Sequence, residues 1–162
     1  MPKIEVRRMF PAELAPAADL YLRSITGLLQ GILKPEQIRA DHEYRRYFTN
    51  VVARDHELWV AVRDGHPVGV MAIANEWIDQ LYVDPPEQRR GAGSAMLAQA
   101  KTLSPNGLRV LTLQRNAAAC RFYEAHGFEA YDRGRSPPPE DEPDVSYRWC
   151  PRGDDHAGKA RR

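Results

Sequence analysis

The chain has 162 residues, a length that suits one domain and is enough to bury a substantial hydrophobic core. Its 23 Lys and Arg residues nearly balance 22 Asp and Glu residues, so no net charge draws the protein to nucleic acid or to an anionic membrane. No apolar run approaches the roughly 18 to 20 residues of a membrane span, and the charged start lacks the apolar stretch of a signal peptide, so the sequence predicts a cytoplasmic protein.

The first third of the chain predicts one strand followed by two helices. Residues 3–9 show the alternation of a short strand. Residues 11–30 carry apolar side chains at steps of three and four, which predicts an amphipathic helix. Residues 35–48 predict a second helix.

The rest of the chain predicts six strands and two helices. Residues 57–63 and 67–75 are apolar runs joined by Asp64-Gly65-His66, which is typical of a β-hairpin turn. Further strands are predicted over residues 76–83, 108–113, 128–131 and 144–150, and helices over residues 92–103 and 117–126. The order β-α-α-β-β-β-α-β-α-β-β predicts a single α/β domain over residues 1–150, with a mixed, mostly antiparallel sheet of about seven strands. Residues 133–143 predict a solvated loop and residues 151–162 a disordered tail.

The cysteines and histidines do not suggest a metal site. Cys120 and Cys150 lack the spacing of metal ligands, so we predict two reduced thiols. His42-Glu43 and His56-Glu57 lack the second histidine of a zinc-protease helix. We therefore predict no metal.

Residues 88–94, with the sequence QRRGAGS, lie between a predicted strand and a predicted helix. Backbone N–H groups and the helix dipole at such a junction form an anion site that suits phosphate. Gly91 and Gly93 let the backbone approach an anion, and Gln88, Arg89 and Arg90 add donors at the rim. On these residues alone, a glycine-rich turn that merely starts a helix explains the pattern equally well.

Two other phosphate motifs do not fit. A dinucleotide fingerprint would need a third glycine at Met96, and the later stretch LTLQRN supplies no acidic residue for a ribose. Gly158-Lys159 is followed by Ala160, where a P-loop needs a hydroxyl for Mg²⁺. Dinucleotide and P-loop sites are therefore excluded.

The stretch LTLQRNAAACRFYEAHGFEAY holds a second candidate site. Asn116 follows a predicted strand and is a good N-cap for the helix after it. Tyr123 lies two helical turns later, so its ring projects on the same side as Asn116 and both can face one groove. The alternative is a core stripe of Ala119, Phe122 and Tyr123 with an incidental hydroxyl.

Together these stretches resemble the GNAT superfamily of acetyl-CoA-dependent N-acyltransferases. Residues 88–93 match that family's Q/R-x-x-G-x-G/A loop after a strand, and RNAAACRFYEAHGF follows at the spacing of the family. The element order agrees over roughly residues 3–150. The resemblance implies a V-shaped opening between two splayed central parallel strands, residues 78–83 and 108–113, with acetyl-CoA lying between them.

The resemblance also implies which residues hold acetyl-CoA. Backbone groups of the first strand would pair with the pantetheine amides like an added strand, residues 88–94 would hold the pyrophosphate, and Asn116 would reach the pantetheine arm. The implied cofactor-binding residues are Leu81, Tyr82, Val83, Gln88, Arg89, Arg90, Gly91, Ala92, Gly93, Ser94, Asn116 and Tyr123.

Attack of an amine on a thioester uses an acid, an oxyanion donor and a base. Tyr123 suits the acid, because a phenol of reference pKa about 10 stays protonated at neutral pH and can donate to a thiolate of reference pKa about 8.5. The strand N–H near Leu81 can stabilise the oxyanion. Glu76 and Asp79, at the start of the same strand, are candidate bases acting through a water, although each is equally well explained as an ordinary edge carboxylate.

The predicted acceptor is a primary amine of a small molecule or peptide, with no nucleic-acid or membrane partner. Glu140, Asp141, Glu142 and Asp144 form a local negative patch that would steer a cationic amine. A solvated loop that touches nothing is the alternative. A homodimer is compatible with the sequence, which does not determine the oligomeric state.

Two other classes of function stay open at this point. A GNAT-like protein that binds acyl-CoA or another protein without transfer would not need the Tyr123 hydroxyl. A toxin or regulator acting on charged transfer RNA would need a basic surface stripe, against which the balanced charge argues weakly.

Overall fold

The computed structural model describes residues 3–151. Its strands are β1 (Glu5–Arg8), β2 (Glu57–Arg63), β3 (His66–Ala74), β4 (Trp77–Val83), β5 (Leu108–Leu113), β6 (Glu129–Arg135) and β7 (Pro143–Trp149). Its helices are α1 (Leu14–Gln30), α2 (Asp41–Tyr47), α3 (Ala92–Leu103) and α4 (Ala117–Ala125). Within these described residues, no helix is long and apolar enough to cross a membrane.

The seven strands form one mixed sheet in the order β1-β2-β3-β4-β5-β7-β6. β4 and β5 run parallel, and every other neighbouring pair is antiparallel. The predicted α/β class, element order and central parallel pair are therefore confirmed. The predicted hairpin between β2 and β3 is also present, and Asp64 and Gly65 both have the positive φ that the central residues of a type I′ turn require.

A hydrophobic core lies on each face of the sheet. Successive residues of a strand point to opposite faces, so β3 sends Val70 into the core under α1 and α2 and Met71 into the core under α3 and α4. In the first core Tyr21 stacks on Phe48 with ring centroids 4.9 Å apart. In the second core Met96 of α3 is completely buried. The two cores fix the helices on either side of the central strands.

The second helix differs from its prediction at both ends. It begins at Asp41, because Pro35–Gln37 forms a separate 3₁₀ turn. Past Tyr47 the chain continues as a π-helical turn, Phe48–Val52, and a short helical turn, Ala53–Asp55. Phe48 and Val52 are completely buried, so core packing extends the helical path where the local pattern predicts its end.

The predicted loop over residues 133–143 is shorter in the structure. β6 continues to Arg135 and β7 begins at Pro143, because residues 133–135 pair with residues 143–145 in an antiparallel ladder. β6 is exposed along its whole length, which explains why its polar sequence resembles a loop. The predicted disordered tail lies outside the described residues apart from Pro151.

Candidate active site

The parallel strands β4 and β5 pair over two positions and then diverge. Trp77 lies opposite Arg109 and Ile78 lies opposite Val110. Beyond these pairs β4 remains paired with β3 up to Val83, and β5 remains paired with β7 up to Leu113. The strands therefore enclose a V-shaped opening with a cavity of about 960 Å³, lined also by α1, α2, α4 and the connection between β6 and β7.

A β-bulge in β4 lies at the start of this opening. Ile78 pairs with Ile73 and Gln80 pairs with Ala72, so Asp79 is an extra residue with no partner on β3. Such a bulge shifts the alternation of the strand by one residue. Asp79 itself lines the cavity.

The bulge determines which backbone groups of β4 face the opening. The Asp84 N–H donates to the Val68 carbonyl on the β3 side at 2.9 Å. Because backbone groups alternate in direction along a strand, those of Leu81 and Val83 face β5, whereas those of Tyr82 face β3. Leu81 therefore offers an N–H and a C=O to a ligand in the opening. The predicted backbone contact at Tyr82 is not favoured by this geometry, and Tyr82 contributes its ring to the cavity wall instead.

The glycine-containing loop ends at the N-terminus of α3. Gly91 is the N-cap, and its φ of 93° lies in the left-handed region that favours glycine. The first hydrogen bond of the helix runs from the Ala95 N–H to the Gly91 carbonyl at 3.0 Å. The N–H groups of Ala92, Gly93 and Ser94 therefore have no acceptor within the helix. Together with the helix dipole they form the anion site that the sequence predicts.

The side chains predicted at the rim of this loop are held in different ways. Gln88 Nε2 donates to the Val83 carbonyl at 3.1 Å, so this side chain closes the loop onto β4. Arg90 donates to the Glu87 carboxylate at 3.0 Å. Arg89 is exposed and has a positive φ of 63°. Arg89 is thus the rim donor least engaged by the protein.

Arg63, which the sequence analysis does not single out, supports the loop from β2. Its guanidinium is buried, donates to the Arg90 carbonyl at 3.1 Å and lies 3.4 Å from the Glu87 carboxylate. The loop backbone is thereby fixed by groups on the side away from solvent. No local pattern marks Arg63, because it belongs to a hairpin that precedes the loop by more than twenty residues.

The end of α4 lies beside the same loop. His126 Nε2 lies 3.1 Å from Ser94 Oγ, and its Nδ1 lies 2.7 Å from the Phe122 carbonyl. A Cβ at Gly93 would lie 3.4 Å from the Phe122 ring, so α4 packs closely against the start of α3 at this point. His126 is a second residue at the site that sequence reasoning missed.

Asn116 and Tyr123 both line the cavity. Asn116 Oδ1 accepts a hydrogen bond from the Ala119 N–H at 3.2 Å, which confirms it as the N-cap of α4 and leaves its amide NH₂ to donate elsewhere. Tyr123 is buried, with its ring 5.2 Å from Phe122 and 6.2 Å from Tyr147. Burial raises the pKa of Tyr123, so its hydroxyl stays protonated at neutral pH.

The structure places the two candidate bases, Asp79 and Glu76, at different locations. Asp79 lines the cavity, and its carboxylate lies 3.3 Å from His56 Nε2. His56 is mostly buried and is oriented by its Nδ1, which lies 3.0 Å from the Val52 carbonyl. Glu76 is exposed in the turn between β3 and β4 and borders a separate depression beside Ser104. The structure thus brings Asp79 and not Glu76 to the opening.

The acidic connection between β6 and β7 is partly neutralised by arginines. Asp141 pairs with Arg135 at 2.5 Å, and Glu142 pairs with Arg115 at 3.3 Å. Asp144 is buried at the start of β7. Glu140, which is half-buried, lines the cavity.

No group of three or more His, Cys, Asp and Glu side chains in residues 3–151 is placed to hold a metal ion.

Comparisons with known proteins agree with this geometry. A family model described as an acetyltransferase (GNAT) domain matches residues 54–130, from the turn before β2 into β6. The chain is 28% identical over 135 residues to the uncharacterized N-acetyltransferase YafP of Escherichia coli K12, a match that covers 83% of this chain and 87% of that protein.

Two further similarities are informative. The chain is 39% identical over 77 residues to the peptidyl-lysine N-acetyltransferase YjaB of Salmonella typhimurium LT2, which covers 47% of this chain and 52% of that protein. The crystal structure of the PaiA N-acetyltransferase of Thermoplasma acidophilum in complex with coenzyme A has a TM-score of 0.73 at 17% identity, covering 92% of this chain and 99% of that one. The PaiA likeness shows a shared fold.

Proposed function

The chain belongs to the GNAT superfamily of N-acetyltransferases, and from this premise we propose that it transfers an acetyl group from acetyl-CoA to a primary amine of a small molecule or peptide. The observation that carries the proposal is the V-shaped opening between β4 and β5, together with the start of α3 at the Val83 end of β4, where a Cβ at Gly93 would lie 3.8 Å from the Val83 side chain. The coenzyme A complex of PaiA and the name of YjaB as a peptidyl-lysine N-acetyltransferase support the donor and the acceptor class.

The residues present fit acetyl-CoA. Three N–H groups without helical acceptors, at the positive end of α3, suit a pyrophosphate, and the exposed Arg89 adds a cation. The Leu81 N–H and C=O match the amides of the pantetheine arm, and the free NH₂ of Asn116 can donate to the same arm. When bound, acetyl-CoA supplies the thioester that the amine attacks.

Tyr123 is the proposed general acid. Tyr123 lines the cavity together with Ala119 and Asn116, and its protonated hydroxyl would donate a proton to the departing thiolate. The Leu81 N–H, which faces the opening next to the bulge, is the proposed donor to the acetyl oxygen as negative charge develops there.

Asp79 is the proposed proton acceptor, acting through a water. Its carboxylate lies at the opening, and the bulge leaves it free of any cross-strand partner on β3. His56 Nε2 lies 3.3 Å from the carboxylate, and a proton on that nitrogen would orient it. An attacking amine must lose a proton, and the Asp79 carboxylate would accept that proton through the bridging water.

The proposal is tested by measuring free CoA thiol release from acetyl-CoA in the presence of polyamines, amino acids, aminoglycosides and lysine-containing peptides. We expect release with at least one class of primary amine, together with an N-acetylated product detected by mass spectrometry. Acetyl-CoA binding without thiol release for any amine would instead establish a non-catalytic acyl-CoA-binding protein.

A further inference from the structure

Glu140 is a half-buried carboxylate in the part of the cavity wall that the connection between β6 and β7 supplies. The backbone around it is fixed, since the Glu140 carbonyl accepts a hydrogen bond from Gln37 Nε2 at 2.5 Å and the Pro138 carbonyl accepts one from Arg39 at 3.5 Å. Among the described residues, the Glu140 carboxylate itself has no hydrogen-bond or ion-pair partner. A carboxylate held in place but left without a partner is available to a ligand.

The neighbouring carboxylates are already engaged. Asp141 and Glu142 pair with Arg135 and Arg115 on the surface. The Glu43 carboxylate, also in the cavity lining, accepts a hydrogen bond from the Ala40 N–H at 2.8 Å and caps α2. Asp79 is paired with His56. Glu140 therefore differs from these four carboxylates, and it is more exposed than Asp144, which also lines the cavity but is only 7% exposed.

The surroundings of Glu140 are mostly phenolic. Tyr21, Tyr44 and Tyr82 line the same part of the cavity, and burial, with the charge of Glu140 as a smaller contribution, raises the pKa of all three. The charge of Arg39 lowers the pKa of Glu140, but burial has the larger effect, so the pKa is raised overall. The ionised carboxylate is thus poorly solvated, and a bound cation with N–H donors would stabilise it.

The chemistry of the transfer limits what this cation can be. An amine attacks a thioester only when it is neutral, and a carboxylate bound directly to it would hold it in its protonated form. Asp79 at the bulge already serves the reacting amine in the proposed mechanism. Glu140 lies on a different wall of the cavity, formed by the connection between β6 and β7.

We propose that Glu140 binds a second, non-reacting cationic group of the acceptor and so makes the enzyme selective for amines that carry another positive charge. Diamines and lysine peptides with a neighbouring cationic residue belong to this class. The inference rests on the proposed acetyl transfer and adds the substrate class to it.

The experiment compares acceptors that differ only in the distal group. Cadaverine is paired with 5-aminopentanol, and a lysine peptide with a flanking arginine is paired with one in which norleucine replaces the arginine. We expect kcat/KM of the wild type to favour the cationic member of a pair by about 10- to 100-fold, the range for a hydrogen bond between charged groups. Glu140→Gln should bring this ratio close to one, mainly through KM, with the acetyl-CoA Kd unchanged.

Glu142→Gln is the matched control, since it removes a carboxylate from the same connection that faces Arg115 rather than the cavity. It should keep the wild-type ratio.

Glu140→Lys should reverse the preference toward 6-aminohexanoate, whose distal group is an anion. A ratio near one in the wild type, or a full ratio in Glu140→Gln, would overturn the inference while leaving acetyl transfer intact. Absence of CoA release with every acceptor would overturn both, and only that result contradicts the proposed function.

Discussion

The two sides of the proposed active site are built from different chemical groups. The side next to α3 uses backbone groups: the free N–H groups after Gly91, the edge of β4 at Leu81, and a loop fixed from behind by Arg63. The side next to α1 and α2 uses side chains from distant segments, among them Tyr21 and Glu140. A backbone site recognises what all coenzyme A thioesters share, whereas a side-chain site recognises what distinguishes one acceptor from another.

This difference determines how each side responds to mutation. Most side-chain changes leave a backbone site intact, unless they alter its φ angles or its support. A side-chain site changes specificity with a single substitution. Tyr123 is the proposed general acid, and Tyr123→Phe removes only its hydroxyl, so this change should affect rate more than the binding of either substrate.

The largest expected effect is that of Tyr123→Phe. Loss of the hydroxyl removes the proton donor and should lower kcat by about 10²- to 10⁴-fold, with the acetyl-CoA Kd unchanged because the ring stays in place. Rapid-quench measurement of the chemical step and calorimetric titration of acetyl-CoA separate the two quantities.

Tyr147→Phe is the matched control for that variant. Tyr147 is equally buried, its ring lies 6.2 Å from Tyr123, and its hydroxyl donates to the Glu124 carboxylate at 2.6 Å. We expect it to lower Tm and to leave the chemical step unchanged. An unchanged chemical step in Tyr123→Phe would return Tyr123 to a purely structural role and leave the proton donor unassigned.

A smaller effect, confined to the backbone side, is expected for Gly91→Val. A β-branched residue at a φ of 93° is strained by about 1 to 3 kcal/mol, and the loop can relieve this strain by moving its N–H groups away from the phosphate position. The acetyl-CoA Kd should rise by about 10- to 100-fold. The increase in Tm on adding acetyl-CoA should shrink accordingly.

Gly65→Val provides the control, because Gly65 also has a positive φ, of 78°, but lies in the β2–β3 turn. It should lower Tm by a comparable amount without altering the acetyl-CoA Kd. If both variants kept wild-type affinity, the anion site would have to lie elsewhere than at the start of α3.

The same difference explains what could be predicted from the sequence. The glycine loop and the Asn116 cap depend on residues close together in the chain, so short motifs reveal them. Glu140 could be noticed only as part of an acidic run, because its position depends on Gln37, 103 residues away. His56 and Arg63 were not singled out for these roles, since a single histidine before a strand or a single arginine at its end has many ordinary explanations.

Backbone direction in β4 was the other feature that local sequence did not reveal. The sequence alone does not tell which of Leu81, Tyr82 and Val83 have backbone groups that face the opening. The bulge at Asp79 and the hydrogen bond from the Asp84 N–H to the Val68 carbonyl determine this. The polar sequence of β6 likewise concealed the second half of that strand, up to Arg135, because exposed edge strands carry the same residue types as loops.

His56→Ala should have a still smaller effect, limited to the proton acceptor. Without the imidazole the Asp79 carboxylate samples other rotamers, and kcat should fall by about 3- to 10-fold, equivalent to one hydrogen bond of roughly 1 kcal/mol. His56→Gln, which keeps a donor near the same position, should recover part of the loss. His66→Ala, at an exposed position in β3, is the control. A loss of Tm with no change in kcat would show that His56 only supports the fold.

The smallest expected effect is on folding stability and tests the cost of burying the Glu140 carboxylate without a partner. Burial raises the pKa of Glu140, so its ionised form is less favourable in the folded state than in the unfolded chain. Below the ordinary glutamate pKa of about 4.3 the group is protonated in both states and contributes nothing. As the pH rises toward the raised pKa the folded state binds more protons than the unfolded state, so stability is lost, and the loss is complete above that pKa.

Glu140→Gln should therefore have a slightly higher Tm than the wild type at pH 7, with the difference disappearing near pH 4. Glu142→Gln should show no such gain, because its carboxylate is paired with Arg115. A variant that is more stable but less selective would mean that the acceptor side keeps an unpaired carboxylate for recognition at the expense of stability. Equal Tm values for Glu140→Gln and the wild type at both pH values would show instead that water already solvates the carboxylate and that its burial carries no cost.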